Sequence, residues 1–162
     1  MKKYIITLVS ILVIIWGIII MKNNYLLKDA FVFSYKDIVS TTLLLDRYKP
    51  DNFEYQLSKD LANDISEALV NGKKHRISQD KFSNNYYPKG VEIFLDGEKK
   101  VIKEDVHTTF KRKITLIKEE NNDIHASIEI NNIENNNLTN LLTRYYVVES
   151  KELVRYIDEL YK

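Results

Sequence analysis

Hydrophobic residues follow three patterns along this chain, and the first is an uninterrupted apolar run. It covers residues 4–21 and contains no charged residue. At ~1.5 Å per residue, the run makes a helix of ~27 Å, close to the ~30 Å hydrocarbon thickness of a bilayer. The pattern predicts a transmembrane anchor over 4–21. The flanking segments are then a short N-terminal tail at 1–3 and a membrane-proximal linker at 22–29.

A cleaved secretory signal is the alternative interpretation, since Lys2 and Lys3 precede the apolar run. The nearest small residue after the run is Ala30, and Lys28 stands two positions before it, where a signal peptidase accepts a small side chain. We therefore expect an uncleaved anchor. Because lysines are costly to translocate, the short tail is predicted to be cytoplasmic and the C-terminal domain to lie outside the cell membrane.

The second pattern, an alternation of apolar and polar residues, predicts β-strands in much of the domain at 30–162. Asp96 and Gly97 are predicted to form a tight hairpin turn, because Asp-Gly favours the backbone angles of such turns. Residues 119–123 are predicted to join a second hairpin. The predicted strands cover 30–45 (one or two strands), 53–57, 91–95, 98–102, 108–117, 124–130 and 143–149.

The third pattern is helical spacing, and it occurs twice, at 58–72 and 150–161. Ser58 and Ser150 are favoured N-cap residues, and apolar residues follow each at intervals of three and four. Both helices begin with Ser, Lys, an acidic residue and Leu, which is compatible with a duplicated half-domain or with convergence. Residues 73–90 and 131–140 lack a period and are predicted to be loops.

These patterns together predict an α+β fold. The expected architecture is an N-terminal transmembrane helix followed by one small domain, in which an antiparallel sheet packs against two amphipathic helices. The chain of 162 residues is long enough for one such domain after the anchor, and too short for two.

The amino-acid composition argues against several classes of function. Three of the 24 Lys and Arg residues flank the apolar run, which leaves 21 against 23 Asp and Glu. A nearly neutral domain argues against binding to nucleic acid. The absence of cysteine excludes disulfides and thiolate chemistry, and four glycines are too few for a phosphate-binding loop or dinucleotide fingerprint. No cofactor is expected.

Titratable residues offer one weak candidate for chemistry. The only imidazoles are His75, His107 and His125, and none stands at metal-ligand spacing from another. Glu104 and Asp105 lie close to His107, so these three residues can be interpreted as a metal or proton-transfer cluster. We favour a solvated connection between strands, because perturbed sites require burial.

Basic and aromatic residues offer candidate surfaces. Two basic clusters could contact anionic headgroups, although an ordinary charged surface is the simpler interpretation. The clusters are Lys73, Lys74 and Arg76, and Lys111, Arg112 and Lys113. Tyr86, Tyr87 and Pro88 are a candidate interaction surface, since exposed tyrosines serve as low-entropy anchors. The adjacent Tyr145 and Tyr146 are expected to point to opposite faces of a strand, one to the core and one to the surface.

We therefore predict a membrane-anchored, non-catalytic binding module at the cell envelope. Its expected partners are the lipid bilayer, through residues 4–21, and a protein. One alternative is an immunity-type self-protection protein, which would present a charged or aromatic patch to a toxin. The other is an enzyme with a dispersed site, which would bring His107 or His125 near acidic residues in a deep pocket.

Overall fold

The structure is a computed structural model, which describes residues 2–27, 29–44, 53–83, 89–103, 106–134 and 137–162. The chain divides into two compact units, Met1–Ala30 and Phe31–Lys162. Each unit is described below by itself.

The first unit contains one helix, α1 (Lys2–Leu27). Within the described part of the chain, no helix combines the length and the apolarity that crossing a bilayer requires. The prediction of a transmembrane helix over 4–21, and of a single-pass anchored protein, is corrected accordingly. The cytoplasmic tail and the lipid partner stay untested predictions.

The second unit is built on a seven-stranded antiparallel sheet, which confirms the α+β class. The strand order is β2-β1-β4-β5-β6-β7-β3, so β4 to β7 form a meander whose two flanks are completed by the earlier strands. The strands are β1 (Ile38–Leu44), β2 (Phe53–Glu54), β3 (Lys73–Ile77), β4 (Lys89–Lys103), β5 (Val106–Lys118), β6 (Ile124–Glu134) and β7 (Asn137–Glu149). Helices α2 (Lys59–Asn71), α3 (Gln79–Ser83) and α4 (Lys151–Glu159) complete the unit.

Both predicted amphipathic helices are confirmed, including their N-caps. The Ser58 hydroxyl accepts a hydrogen bond from the Leu61 amide at 3.3 Å, and the Ser150 hydroxyl accepts one from the Leu153 amide at 3.3 Å. These bonds satisfy amides that the first turn of a helix leaves without a partner. Helices α2 and α4 contact each other and bury their apolar stripes, which include Ile65, Leu69, Leu153 and Ile157.

The core lies between these helices and one face of the sheet, which we call the helix face. Alternate residues of the central strands supply it, as the period of two requires. The cross-strand partners Ile93, Ile114 and Ile128 are fully buried. Phe31 and Phe33 are also buried while Val32 is exposed, so the alternation predicted at 30–45 is present. That segment precedes β1 and is not itself a strand there.

The predicted hairpin turn at Asp96-Gly97 and the predicted loop at 131–140 are both wrong. Asp96 and Gly97 do not end a strand, because β4 continues through them, with a shift of register between Leu95 and Glu98 where it pairs with β5. The dipeptide therefore forms a bulge, which also accommodates special backbone angles. The predicted loop at 131–140 is largely strand, since β6 and β7 pair up to Glu134 and Asn137.

The C-terminal segment ties α4 to the β1 side of the sheet. The Tyr161 hydroxyl accepts a hydrogen bond from the Gly90 amide at 2.7 Å and lies 2.7 Å from the Leu44 carbonyl and 2.6 Å from the Gly90 carbonyl. Asp158 pairs with Lys118 at 2.7 Å and with Lys89 at 2.9 Å. These contacts hold together the ends of three neighbouring strands, β1, β4 and β5.

Candidate functional site

The residues predicted as an interaction surface, Tyr86, Tyr87 and Pro88, lie outside the described residues, as do Glu104 and Asp105. His107 lies in strand β5, opposite Val101. The candidate surfaces that the structure does describe are therefore on other elements.

The tyrosine pair on β7 confirms the prediction of opposite faces. Tyr145 packs against Phe82 of α3, with ring centroids 4.9 Å apart, whereas Tyr146 packs edge-on against Phe31 at 5.5 Å. The finer expectation, that one is core and the other surface, is wrong, because both are half-buried. Tyr145 is therefore covered by α3 on one face of the sheet, and Tyr146 by the segment that contains Phe31 on the other.

His125 and Glu119 form a buried pair at the end of the β5–β6 hairpin. His125 Nδ1 lies 3.3 Å from Glu119 Oε1, and each side chain is about 10 % exposed. The geometry brings the imidazole and the carboxyl group together without aligning a hydrogen bond between these two atoms. The ring of Phe82 stacks over the imidazole at 6.3 Å. The pair is thus the His–acid contact expected of an enzyme, but it is covered by an aromatic ring.

A second charged group lies on the same face of the sheet. Lys113 Nζ is 2.8 Å from Glu129 and 3.6 Å from Glu92, and Thr115 donates a hydrogen bond to Glu92 at 3.3 Å. Burial alone would lower the pKa of Lys113, but the hydrogen bonds and charges of the two glutamates together raise it above its ordinary value. The ammonium is therefore a stable cation that bridges strands β4, β5 and β6.

The predicted basic clusters do not form single patches. Residues 111–113 alternate along β5, so that Arg112 is buried on the helix face and donates to the Val32 carbonyl at 2.8 Å, while Lys113 joins the carboxylates on the other face. The cluster at 73–76 alternates in the same way along β3, an edge strand.

The feature best suited to contact another protein is the outer edge of β1. Strand β1 pairs along its inner edge with β4, but β2 pairs with it only at Thr42 and Leu43. The Tyr55 amide then donates to the Thr41 carbonyl at 3.0 Å, and the Thr41 hydroxyl donates to the Tyr55 carbonyl. Among the described residues, no strand pairs with the outer edge of β1 beyond that point. The Ile38 amide donates to the Tyr35 carbonyl, so the open backbone edge is that of Val39 and Ser40.

A groove of about 650 Å³ runs along this edge. The register of the β1–β4 pair shifts between Ile38 and Ser40, which makes Val39 a bulge residue, and its side chain is 60 % exposed. Both polar and apolar side chains line the groove, among them Tyr35, Lys36, Glu54, Tyr55 and Gln56. The Gln56 amide donates to the Tyr35 hydroxyl at 3.4 Å, which orders one rim.

No group of three or more potential metal ligands occurs among the residues described. The chain matches no known protein family, and comparisons with curated proteins and with solved structures find no match either. A function for this chain is therefore inferred from its own geometry.

Proposed function

We propose that the domain is a non-catalytic interaction module that binds an extended segment of a partner protein along the outer edge of β1. The single observation that carries the proposal is the open edge at Val39 and Ser40, which adjoins a groove of about 650 Å³. An unpaired strand edge presents backbone donors and acceptors that a partner strand can satisfy.

The side chains around the edge favour an added strand over non-specific contact. In β-strand addition, backbone bonds supply affinity and pockets for alternate side chains supply specificity. Val39 and Tyr55 present apolar surface beside the open backbone. Lys36 and Glu54 line the same groove, and neither forms an ion pair among the residues described. The partner segment expected here therefore has an apolar side chain flanked by charged groups.

Two observations speak against turnover. The His125–Glu119 pair lies beneath the ring of Phe82, so a substrate would have to displace an aromatic side chain to reach it. Lys113 forms ion pairs with two glutamates, which raise its pKa. An amine nucleophile requires a lowered pKa instead. An immunity-type role is the special case of this proposal in which the partner is a toxin.

Site-specific photocrosslinking in cells that express the full chain tests the proposal. A photoreactive amino acid replaces Val39 in one variant and Val70, an exposed valine on α2, in the matched control. We expect Val39, and not Val70, to crosslink to one partner at a contiguous segment. A synthetic peptide of that segment should bind the purified full chain.

The peptide then provides the decisive comparison. Val39→Lys should weaken peptide binding at least about tenfold, because a desolvated charge replaces an apolar contact. Val70→Lys should leave binding unchanged. Equal effects of the two substitutions, or crosslinking only to a second copy of this chain, would contradict the proposal.

A further inference from the structure

The opposite edge of the sheet, strand β3, carries a concentration of positive charge that is only partly neutralised. On one face, Lys73 and His75 both pair with Glu149, at 3.9 and 2.9 Å. On the helix face, Lys74 Nζ donates to the Val70 and Gly72 carbonyls at 3.0 and 2.8 Å, so its charge serves the C-terminus of α2. Three of the basic side chains at this edge thus have partners.

Two arginines on the helix face have no carboxylate partner among the residues that the structure describes. Arg76 lies directly opposite Tyr146 in the β3–β7 pair, and Arg144 precedes Tyr146 by two residues, so all three share one face. Arg76 and Arg144 are diagonal neighbours, whose Cα atoms are typically ~7–8 Å apart. Within the described part of the chain, neither guanidinium pairs with a carboxylate, and Arg144 donates only to the Thr143 carbonyl at 2.8 Å.

The electrostatics of this trio are unfavourable without an anion. Burial, and then the positive charge of Arg76, lower the pKa of Arg144 below its ordinary value. Burial raises the pKa of Tyr146, although the two arginines oppose the rise, so its hydroxyl remains protonated near neutral pH and able to donate. Arg76 is exposed and Arg144 is half-buried, so solvent screens part of the repulsion between the two like charges, and an anion bound between them would relieve the rest.

We propose that Arg76, Arg144 and Tyr146 form a binding site for a doubly charged oxyanion, a phosphate group. Two guanidinium forks match the charge and the oxygen geometry of phosphate, and the tyrosine hydroxyl adds a third donor. The lysine on the same strand contributes positive potential, although carbonyls hold its own donors. This site is independent of the β1 groove, since it lies at the other edge of the sheet.

Thermal unfolding of the full chain, with inorganic phosphate against sodium chloride at equal ionic strength, tests the site. We expect phosphate to raise the unfolding temperature of the wild type beyond the effect of chloride. Arg144→Gln should raise the apparent dissociation constant for phosphate at least about tenfold. In phosphate-free buffer the same variant should unfold at the same or a higher temperature, because the repulsion is removed. A purely structural arginine would give the opposite result.

Arg155→Gln is the matched control, because Arg155 is an exposed arginine that lies 3.9 Å from Glu159. It should retain the phosphate response. Loss of the response in this variant, its persistence in Arg144→Gln, or the lack of any phosphate-specific effect in the wild type would overturn the proposal.

A second titration distinguishes a phosphate ester from the free phosphate ion as the ligand. Phenyl phosphate, titrated in the same way, should match inorganic phosphate if the site takes a phosphate ester. It should bind much more weakly if the site takes the free ion.

Discussion

The two flanks of the sheet differ in how they expose their backbone. At one flank, β1 presents a bulged valine, Val39, and open backbone at Val39 and Ser40. At the other, β3 places Lys73, Lys74, His75 and Arg76 in succession. Charged residues on an edge strand oppose pairing with another strand, whereas a neutral edge permits it. The comparison indicates that one flank is suited to a polypeptide and the other to an anion.

The flanks also differ in how firmly they are held. The β1 side adjoins central strands and is tied to α4 through Tyr161. The β3 side is fixed by β7 on one edge only. An added atom should therefore displace its neighbours more easily near β3 than near β1. Gly72 and Gly90, one near each flank, allow a matched test.

The largest expected effect is that of Gly90→Ala. A Cβ at this position would lie 2.8 Å from the Leu116 carbonyl oxygen and 3.1 Å from Leu44 Cδ1, so central backbone would have to move. We expect a loss of about 2–3 kcal/mol in the free energy of unfolding, measured by chemical denaturation.

The matched substitution at the β3 side is Gly72→Ala. Its Cβ would lie 2.7 Å from Val148 Cγ1 and 2.9 Å from the Ala68 carbonyl oxygen. Because the nearest atom is a side-chain methyl of Val148, on the strand next to the sheet edge, and at Gly90 it is central backbone, we expect a smaller loss of about 1 kcal/mol. An equal or larger loss for Gly72→Ala would break the comparison.

Removing the Tyr161 hydroxyl, which joins α4 to the β1 side of the sheet, should have the largest effect after Gly90→Ala. Tyr161→Phe leaves the buried Gly90 amide without its partner and should cost about 1–2 kcal/mol. Tyr156→Phe in α4 is the control, since no hydrogen bond to that hydroxyl is among those described, and it should change stability little. Similar losses in both variants would contradict the role of the tie.

The same tyrosine predicts an alkaline limit. Burial raises the pKa of Tyr161 above its ordinary value of 10.0, while the bonds to Gly90 and Leu44 oppose the rise. A raised pKa contributes stability that is complete below pH 10.0 and is lost as the pH rises through the folded value. The stability difference between wild type and Tyr161→Phe should therefore narrow above pH 10.0 in denaturation curves.

A smaller effect is expected for the Asp158 ion pairs. Hydrogen bonds from Lys118 and Lys89 lower the pKa of Asp158 below 3.8. Its contribution is therefore present above pH 3.8 and is lost as the pH falls through the folded value. Because the carboxylate is 33 % exposed and screened, Asp158→Asn should cost only about 0.5–1 kcal/mol at neutral pH. Asp64→Asn on α2 should cost less, and a pH-independent loss for Asp158→Asn would contradict the ion-pair account.

The smallest stability effect is predicted at the proposed binding edge itself. Val39→Lys and Val70→Lys both replace exposed valines, so each should change the free energy of unfolding by less than about 0.5 kcal/mol. A large loss for Val39→Lys in denaturation experiments would assign Val39 to folding and remove it from the binding argument.

Local signals predicted local structure well. Ser58 and Ser150 were sufficient to locate two helices, because an N-cap and the spacing of apolar residues act within one turn. The Asp96-Gly97 prediction was wrong because an Asp-Gly pair occurs in hairpin turns and in bulges, and only pairing with the partner strand decides between them. Helix α3 and strand β3 were missed since the sequence at 73–83 has no apolar period.

Neither candidate site was predictable from the sequence. Residues 35–41 meet 54–57 only after β2 pairs with β1, and Arg76 meets Arg144 only across the β3–β7 pair. Such partners are far apart in the chain, and their register follows from burial elsewhere in the sheet. The exposed Val39 gave no signal, since alternation predicted a strand there without indicating that its outer edge stays open.

Amide hydrogen exchange at Val39 and Ser40 tests the central claim most directly. The measurement compares the full chain alone with the full chain bound to the peptide that Val39 crosslinks. The account predicts that outward-facing amides of this segment exchange quickly in the free protein and become protected on binding, while β3 is unchanged. Protection already complete in the free protein, or gained elsewhere and not at β1, would contradict it.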